Sequence, residues 1–264
     1  MANGIMVDGV EYDEHAIRAL KSFLGEQVAH RTNNVSDFFK IFNVVQKTKI
    51  TLTPEIQYRL SRLAGTTLLE SAYILKSLDL IEGVQGDWCE YGVAHGKTSA
   101  LLAQVMLRKP TTRKLWLYDS FKGLPRPHDK DILLHDIFRK ETIAAYEGEI
   151  SIPERYVTAE LQSVTPNMEH FRIVKGWINL DSLKAQSPDQ ISFAYLDMDF
   201  YQSTYEVLKF LIDRMPKGGM AVIDDYGFFS EGVRTAVCEI VNEFPGNYSF
   251  EHPFGDKFVV LTRQ

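Results

Sequence analysis

The sequence predicts an α/β protein built on a mostly parallel sheet. Three observations carry the prediction. From Asp87 onward, short apolar runs alternate with helical patterns, as in repeated strand–helix units. The first run passes into Glu90-Tyr91-Gly92-Val93-Ala94-His95-Gly96-Lys97-Thr98, a glycine turn that opens a helix from Ser99 to Leu107. Later runs end in Asp119, in Asp197 and in Asp224-Asp225. In an open α/β sheet such strand ends share one edge, and ligands bind there.

The elements follow in order. Residues from about Asp13 to Glu82 read as helical, with one amphipathic stretch through Ile17, Leu20, Phe23 and Leu24. A second stretch, Val35, Phe38, Phe39, Ile41, Phe42 and Val45, sets aromatic residues at helical spacing, the pattern of a core or dimer contact. A third helix runs from Thr66 to Leu80 and stops before Gly83. This portion, 1–84, is expected to form a helical cap, and 85–264 the sheet domain. Strands are expected at Asp87–Tyr91, Leu115–Asp119, Phe171–Lys175, Ile191–Asp197 and Met220–Asp224, with helices at Thr204–Arg214 and Gly232–Phe244. Tyr248–His252 and Lys257–Thr262 flank Gly255-Asp256, as in an antiparallel hairpin. The interval from Asp119 to Phe171 is too long for a plain connection. Its portion 123–165 is read as a lid with short helices over the ligand edge.

Bulk properties exclude several classes. The chain has 264 residues, a net charge of −6 and a pI of about 5.7, and no basic patch offsets that balance, so nucleic acid is not expected as substrate. The two cysteines, Cys89 and Cys238, have neither metal-site nor disulfide spacing. No apolar run reaches the ~18 residues of a membrane span. No basic-then-apolar leader precedes Asp13, and a cytoplasmic protein is expected.

The glycine turn leaves its ligand open. Gly92 and Gly96 would let a ligand approach the backbone. Gly92-x-x-x-Gly96-Lys97-Thr98 is one residue short of a phosphate-binding loop, and Glu90 would repel a phosphate. An acid here suits a ligand with a cationic end, such as S-adenosylmethionine with its sulfonium and ammonium groups. A turn without a ligand is the third reading. Asp119, about 20 residues beyond the turn, suits a ribose diol as hydrogen-bond acceptor. Ala94 and Lys97 break the G-x-G-x-x-G of a nicotinamide enzyme.

The aspartates suggest a metal. Asp197, Asp224 and Asp225 at neighbouring strand ends would repel one another unless a proton or a cation joins them. Mg2+ fits such an all-oxygen set and leaves positions for substrate oxygens. It would lower the pKa of a substrate hydroxyl and aim it at a methyl group. Asp197 is then ligand and candidate base together; His128 and His135 in the lid are alternative bases.

These motifs resemble a known family. Five parallel strands and a terminal hairpin are the seven-strand, Rossmann-like architecture of class I methyltransferases. The order Glu90-x-Gly92-x-x-x-Gly96, Asp119, Asp197 and Asp224-Asp225 is similar to metal-dependent O-methyltransferases of that class. Closer still is the macrocin O-methyltransferase family, which methylates sugar hydroxyls of glycosylated natural products. The resemblance rests on Glu90-Tyr91-Gly92-Val93, Asp119-Ser120-Phe121-Lys122-Gly123-Leu124-Pro125, Lys175-Gly176-Trp177, Leu196-Asp197-x-Asp199-x-Tyr201-x-Ser203-Thr204, and Gly218-Gly219 followed by Ile223-Asp224-Asp225-Tyr226. It implies that Glu90, Gly92 and Thr98 hold the amino-acid end of S-adenosylmethionine. It also places Asp119 on the ribose, Ser120 and Trp177 near the adenosine, and Asp197, Asp224 and Asp225 on Mg2+. It further implies a small, glycosylated acceptor, with a homodimer through the N-terminal helices as an added expectation. Two departures stand out: His95 precedes Gly96 where many relatives carry arginine, and Phe200 stands where catechol enzymes carry a lysine base. A phenolic or catechol acceptor is therefore the weaker alternative, and a fold kept only for binding weaker again.

Overall fold

The computed structural model describes residues 5–7, 10–12, 41, 43–45, 47–253 and 257–264. The stretch from Asp13 to Leu24, the aromatic stripe at Val35, Phe38, Phe39 and Phe42, and the Gly255-Asp256 turn lie outside them, as does any dimer contact expected of that stripe. The chain separates into two compact units, Met1–Asp79 and Leu80–Gln264.

In the first unit, strands β1 (Ile5–Val7) and β2 (Val10–Tyr12) form an antiparallel pair. Helix α1 (Pro54–Ser61) starts where its sequence dictates, because Thr53 accepts from the Ile56 amide and Pro54 needs no partner for a missing N–H. Helix α2 (Leu68–Leu80) opens with a reciprocal cap. Thr67 Oγ1 accepts from the Glu70 amide at 3.1 Å, and Glu70 Oε2 accepts from the Thr67 amide at 3.2 Å.

The second unit carries a seven-stranded sheet. Its members are β3 (Asp87–Tyr91), β4 (Leu115–Asp119), β5 (Phe171–Lys175), β6 (Ile191–Leu196), β7 (Met220–Ile223), β8 (Tyr248–Glu251) and β9 (Val259–Arg263). They lie in the order β5-β4-β3-β6-β7-β9-β8. The first five run parallel, and β9 and β8 close the sheet as the expected antiparallel hairpin. Every residue of β6 is buried, as befits a central parallel strand covered on both faces. The helices are α3 (Lys97–Met106), α4 (Arg155–Gln162), α5 (Leu180–Gln186), α6 (Tyr201–Arg214) and α7 (Glu231–Glu243).

Register decides where the strands end. Tyr91 pairs with Tyr118 on one side and Leu196 on the other, and Leu196 pairs with Ile223. The next residues, Gly92, Asp119, Asp197 and Asp224, therefore fall in one row. The ladder continues through them: the amides of Gly92, Asp197 and Asp224 donate to the carbonyls of Tyr118, Tyr91 and Leu196. At the opposite edge Arg113 ties down the turn before β3. Its guanidinium donates to the carbonyls of Glu82, Val84 and Gly86 and to the Ser192 hydroxyl. Among the described residues, no helix is long and apolar enough to cross a membrane.

Candidate active site

The row of strand ends divides into two halves. In the β3–β4 half, Glu90 is 1% exposed, and its Oε2 has no hydrogen-bond partner in the protein. Burial pushes its carboxyl up to about 8, and the nearby charge of Asp119 adds to the rise. The Ser99 hydroxyl offsets this in part but closes no hydrogen bond of ordinary geometry. A buried, unpaired carboxyl facing the glycine loop is unfavourable without a ligand, which makes it a site for a cationic group.

Asp119 holds the loop itself. Its Oδ2 accepts from the amides of Val93 and Ala94 at 2.9 and 3.1 Å, and its Oδ1 from Phe121 at 2.7 Å. A carboxylate offers about four acceptor positions, so one remains for an outside hydroxyl. Gly92 (φ +82°) cannot carry a side chain, since a Cβ there would come within 1.7 Å of the Asp197 carbonyl oxygen. This contact joins the glycine loop to the other half of the edge. Gly96 caps α3 in the left-handed conformation, and Thr98 is buried in its first turn. Ser120 is held by its own turn, donating to the Gly123 carbonyl at 2.9 Å. Trp177 stands 45% exposed just past β5. Lys97, the would-be phosphate ligand, is paired with Glu160 of α4.

In the β6–β7 half, the carboxylates of Asp197, Asp199 and Asp225 converge. One oxygen from each lies within 4.8 Å of the others. An octahedral cation at about 2.1 Å from its ligands sets opposing oxygens about 4.2 Å apart, so this spacing fits a hard divalent ion. Desolvation pushes Asp199 up to about 6, helped by the charge of Asp224 and opposed by Asp225 and Lys257. Asp224, expected in the cluster, lies outside that group of oxygens. Its Oδ1 accepts from the Asp225 amide at 2.8 Å with Lys257 Nζ 4.0 Å away, and its Oδ2 accepts from the Tyr195 hydroxyl at 3.4 Å. Asp225 leaves the strand at φ +55°, and its carboxylate joins those of Asp197 and Asp199 while that of Asp224 does not. Asp199 was not among the expected ligands. The signal for it in the sequence is only its place two residues after Asp197, since at φ +63° it has left the extended chain.

Backbone strain marks the same edge. Among the described non-glycine residues, positive φ occurs at Ala94, Phe121, Asp199 and Asp225, each just past a strand end, and at Arg139, Glu141 and Ile150 in the lid. Such conformations cost of order 1–3 kcal/mol each and gather at functional sites.

The segment 123–165, read from sequence as a lid, carries a 3-10 turn at Ile143–Tyr146 and α4. Leu124 and Tyr146 pack with Phe200 and Phe229, the residues that follow the acidic strand ends. Phe200, 1% exposed, is thus a lid contact and brings no base to the site. His135 stacks on Phe228 with ring centroids 4.8 Å apart, and His128 lies against Tyr201 at 4.8 Å with the rings tilted by 37°.

A family model described as Macrocin-O-methyltransferase (TylF) matches residues 61–252. The chain belongs to the macrocin O-methyltransferase family. It is accordingly an S-adenosylmethionine-dependent O-methyltransferase by family, with a class I fold. Among its relatives is the 8-demethyl-8-(2,3-dimethoxy-alpha-L-rhamnosyl)-tetracenomycin-C 4'-O-methyltransferase of Streptomyces olivaceus, 27% identical over 74% of this chain and 71% of that one. The mycinamicin III 3''-O-methyltransferase of Micromonospora griseorubida is 28% identical over 70% and 68%. The solved O-methyltransferase NovP shares the fold with a TM-score of 0.64 at 19% identity, covering 94% of this chain and 99% of its own. The calicheamicin methyltransferase CalS11 does so at 0.57 and 18%, covering 99% and 98%. The family match spans both halves of the edge and the lid.

Proposed function

We propose that this protein transfers the methyl group of S-adenosylmethionine to a sugar hydroxyl of a glycosylated natural product, with Mg2+ as its metal. The observation that carries the reading is the pairing of two sites on one edge: a buried, unpaired Glu90 beside the glycine loop, and three converging carboxylates joined to that loop through the Gly92–Asp197 contact. The acceptor class follows from relatives whose names specify O-methylation of a rhamnosyl tetracenomycin and of mycinamicin III.

Glu90 would bind the donor's ammonium group, ionising as it does so. Asp119 would keep the loop amides aligned and offer its remaining acceptor position to a ribose hydroxyl. Gly92, Gly96 and Thr98 would form the wall against the methionine portion, with Ser120 and Trp177 bordering the adenosine. Asp197, Asp199 and Asp225 would hold Mg2+, whose contribution when bound is Lewis-acid activation of the acceptor oxygens. Asp197 would take the hydroxyl proton as methyl transfer proceeds. Transfer is an in-line displacement at carbon, so alignment of donor and acceptor supplies much of the rate. The lid would exclude water during transfer.

Calorimetric titration with S-adenosylhomocysteine, with and without Mg2+, tests the donor half. Micromolar binding is expected; no binding in either condition would remove the reading. Incubation with donor, Mg2+ and a panel of glycosylated and phenolic acceptors then tests the acceptor class by a 14 Da mass gain per methyl (the replacement of H by CH3, about 14).

A further inference from the structure

We propose that Asp131, in the lid, is a positioning residue for methyl transfer, one carboxylate that fastens the lid to the starts of α6 and α7. The proposal rests on the methyltransferase reading for its link to rate, and on geometry alone for the fastening.

The geometry is unusual for a loop acid. Asp131 is 5% exposed and has both oxygens occupied. Its Oδ2 accepts from the His128 amide at 2.8 Å, which closes a tight turn within the lid. Its Oδ1 accepts from the Tyr201 amide at 2.8 Å and from the Ser230 hydroxyl at 2.9 Å. Tyr201 is the first residue of α6, whose own cap position is Phe200, a side chain with no oxygen to offer. Asp131 therefore caps α6 from 70 positions away in sequence. Ser230 is the cap of α7, and its hydroxyl accepts from the Gly232 amide at 3.0 Å while donating to Asp131. One carboxylate thus serves two helix N-termini, directly and through one hydroxyl, where negative charge is favoured.

These helices matter because of what precedes them. Tyr201 follows Asp199 by two residues, and Ser230 follows Asp225 by five. Both aspartates sit at positive φ, and such turns persist only when the surroundings hold them. Beside the clasp, lid and α7 entry run together as a short antiparallel ribbon. The Leu134 amide donates to the Phe229 carbonyl, and the Glu231 amide to the Ile132 carbonyl. Gly232 is a second, independent sign. A Cβ there would fall 1.8 Å from Asp131 Oδ1, so the glycine leaves the space that the carboxylate fills.

The test compares Asp131→Ala, Asp131→Asn and Gly232→Ala with the unaltered protein, well below each melting temperature. Hydrogen exchange of the ligand-free proteins reads the fastening. Amides of 128–138 and 200–204 should exchange faster in Asp131→Ala and Gly232→Ala, with Asp131→Asn between, since its amide keeps one acceptor oxygen. Kinetics read the positioning. kcat should fall by ~10–100-fold, the range for a small misplacement of reacting groups. KM for the donor should stay within about twofold, because the β3–β4 half is untouched. Asp131→Asn/Gly232→Ala should be no worse than the poorer single change, as expected when both break one contact. Unchanged lid exchange in Asp131→Ala would overturn the fastening; faster exchange with kcat within about twofold of normal would overturn the positioning role. If the unaltered protein methylates no acceptor, the functional reading fails, while the exchange result still decides the fastening. Should Asp131→Ala not fold, Asp131→Asn and Gly232→Ala carry both arms.

Discussion

The two halves of the ligand edge are built by different means. In the β3–β4 half, the main hydrogen bonds are local: Glu90, the glycine loop and Asp119, accepting from Val93 and Ala94, lie within about thirty residues. In the β6–β7 half, the cluster is assembled from two separate strand ends, and lid residues fifty or more positions away pack against the segments that follow them. The first half is rigid by local hydrogen bonding and carries one unpaired charge site. Each half has two positive-φ turns, Ala94 and Phe121 in the first and Asp199 and Asp225 in the second, but the second also concentrates like charge and is backed by distant contacts.

The largest effect is expected where the halves meet. Gly92→Ala would push a methyl group into the Asp197 carbonyl and force alanine into a left-handed backbone. The conformation alone costs about 1–2 kcal/mol, and the clash adds to it. We expect a clear fall in melting temperature and loss of both S-adenosylhomocysteine binding and any Mg2+-induced stabilisation. If binding of either ligand survives at normal strength, the halves are not coupled through this contact.

Next comes the β6–β7 half alone. Asp199→Asn should abolish Mg2+-induced stabilisation and lower turnover by about 100-fold or more, whereas even supporting changes around a metal cost about 10–100-fold. Asp224→Asn should retain the Mg2+-induced shift, because its carboxylate is turned to Tyr195 and the Asp225 amide. Differential scanning calorimetry with and without Mg2+ separates the two. The reverse ranking would make Asp224 the ligand and Asp199 its support. Neither change should weaken S-adenosylhomocysteine binding.

The same contrast explains what the sequence discloses. The boundaries of β3, β4 and β5 can be read to the residue, because Gly86, Gly92 and the Asp119 and Gly176 turns punctuate apolar runs. The positions of Glu90 and Asp119 are legible because the strands and turns that carry them follow from local pattern. In the other half, the run of acids is legible but its geometry is not. Which of Asp199 and Asp224 faces the cluster depends on backbone angles at Asp199 and Asp225, where a non-glycine residue gives no warning of positive φ. Asp131 is harder still. Nothing near it in the chain shows that it caps a helix starting at Tyr201, since a contact over that separation is set by packing and not by pattern.

The β3–β4 half also predicts a pH response. Glu90 ionises near its ordinary value of 4.5 in the unfolded chain but only near 8 in the fold. Between those values the folded protein holds the extra proton, so this group's effect is to make stability fall as pH rises from about 4.5 to about 8 and then level off. Glu90→Gln should remove that slope and raise the melting temperature at pH 8.5. It should also weaken S-adenosylhomocysteine by about 10–100-fold, as for a lost charged hydrogen bond. In the unaltered protein, affinity should rise with pH up to about 8, with proton release on binding, measurable by calorimetry in buffers of different ionisation enthalpy. A flat profile would mean that the ligand's cation does not meet Glu90.

The smallest effect is expected at the rim of that half. Trp177 lies two residues beyond β5 and is exposed as a residue, so the aromatic contact it would make with an adenine would have water on one side. Such contacts contribute about 0.5–1.5 kcal/mol, so Trp177→Ala should raise the S-adenosylhomocysteine Kd by roughly 3- to 10-fold and leave stability unchanged. Trp177→Phe should restore most of the affinity, because a flat apolar face is what the contact needs. Fluorescence adds a direct reading, since an exposed indole covered by a base is quenched. Quenching without an affinity change on Trp177→Ala would place the ring near the donor but outside its grip. A loss larger than that at Glu90 would shift the centre of donor recognition from the buried acid to the rim, and with it the reason the β3–β4 half tolerates an unpaired carboxyl.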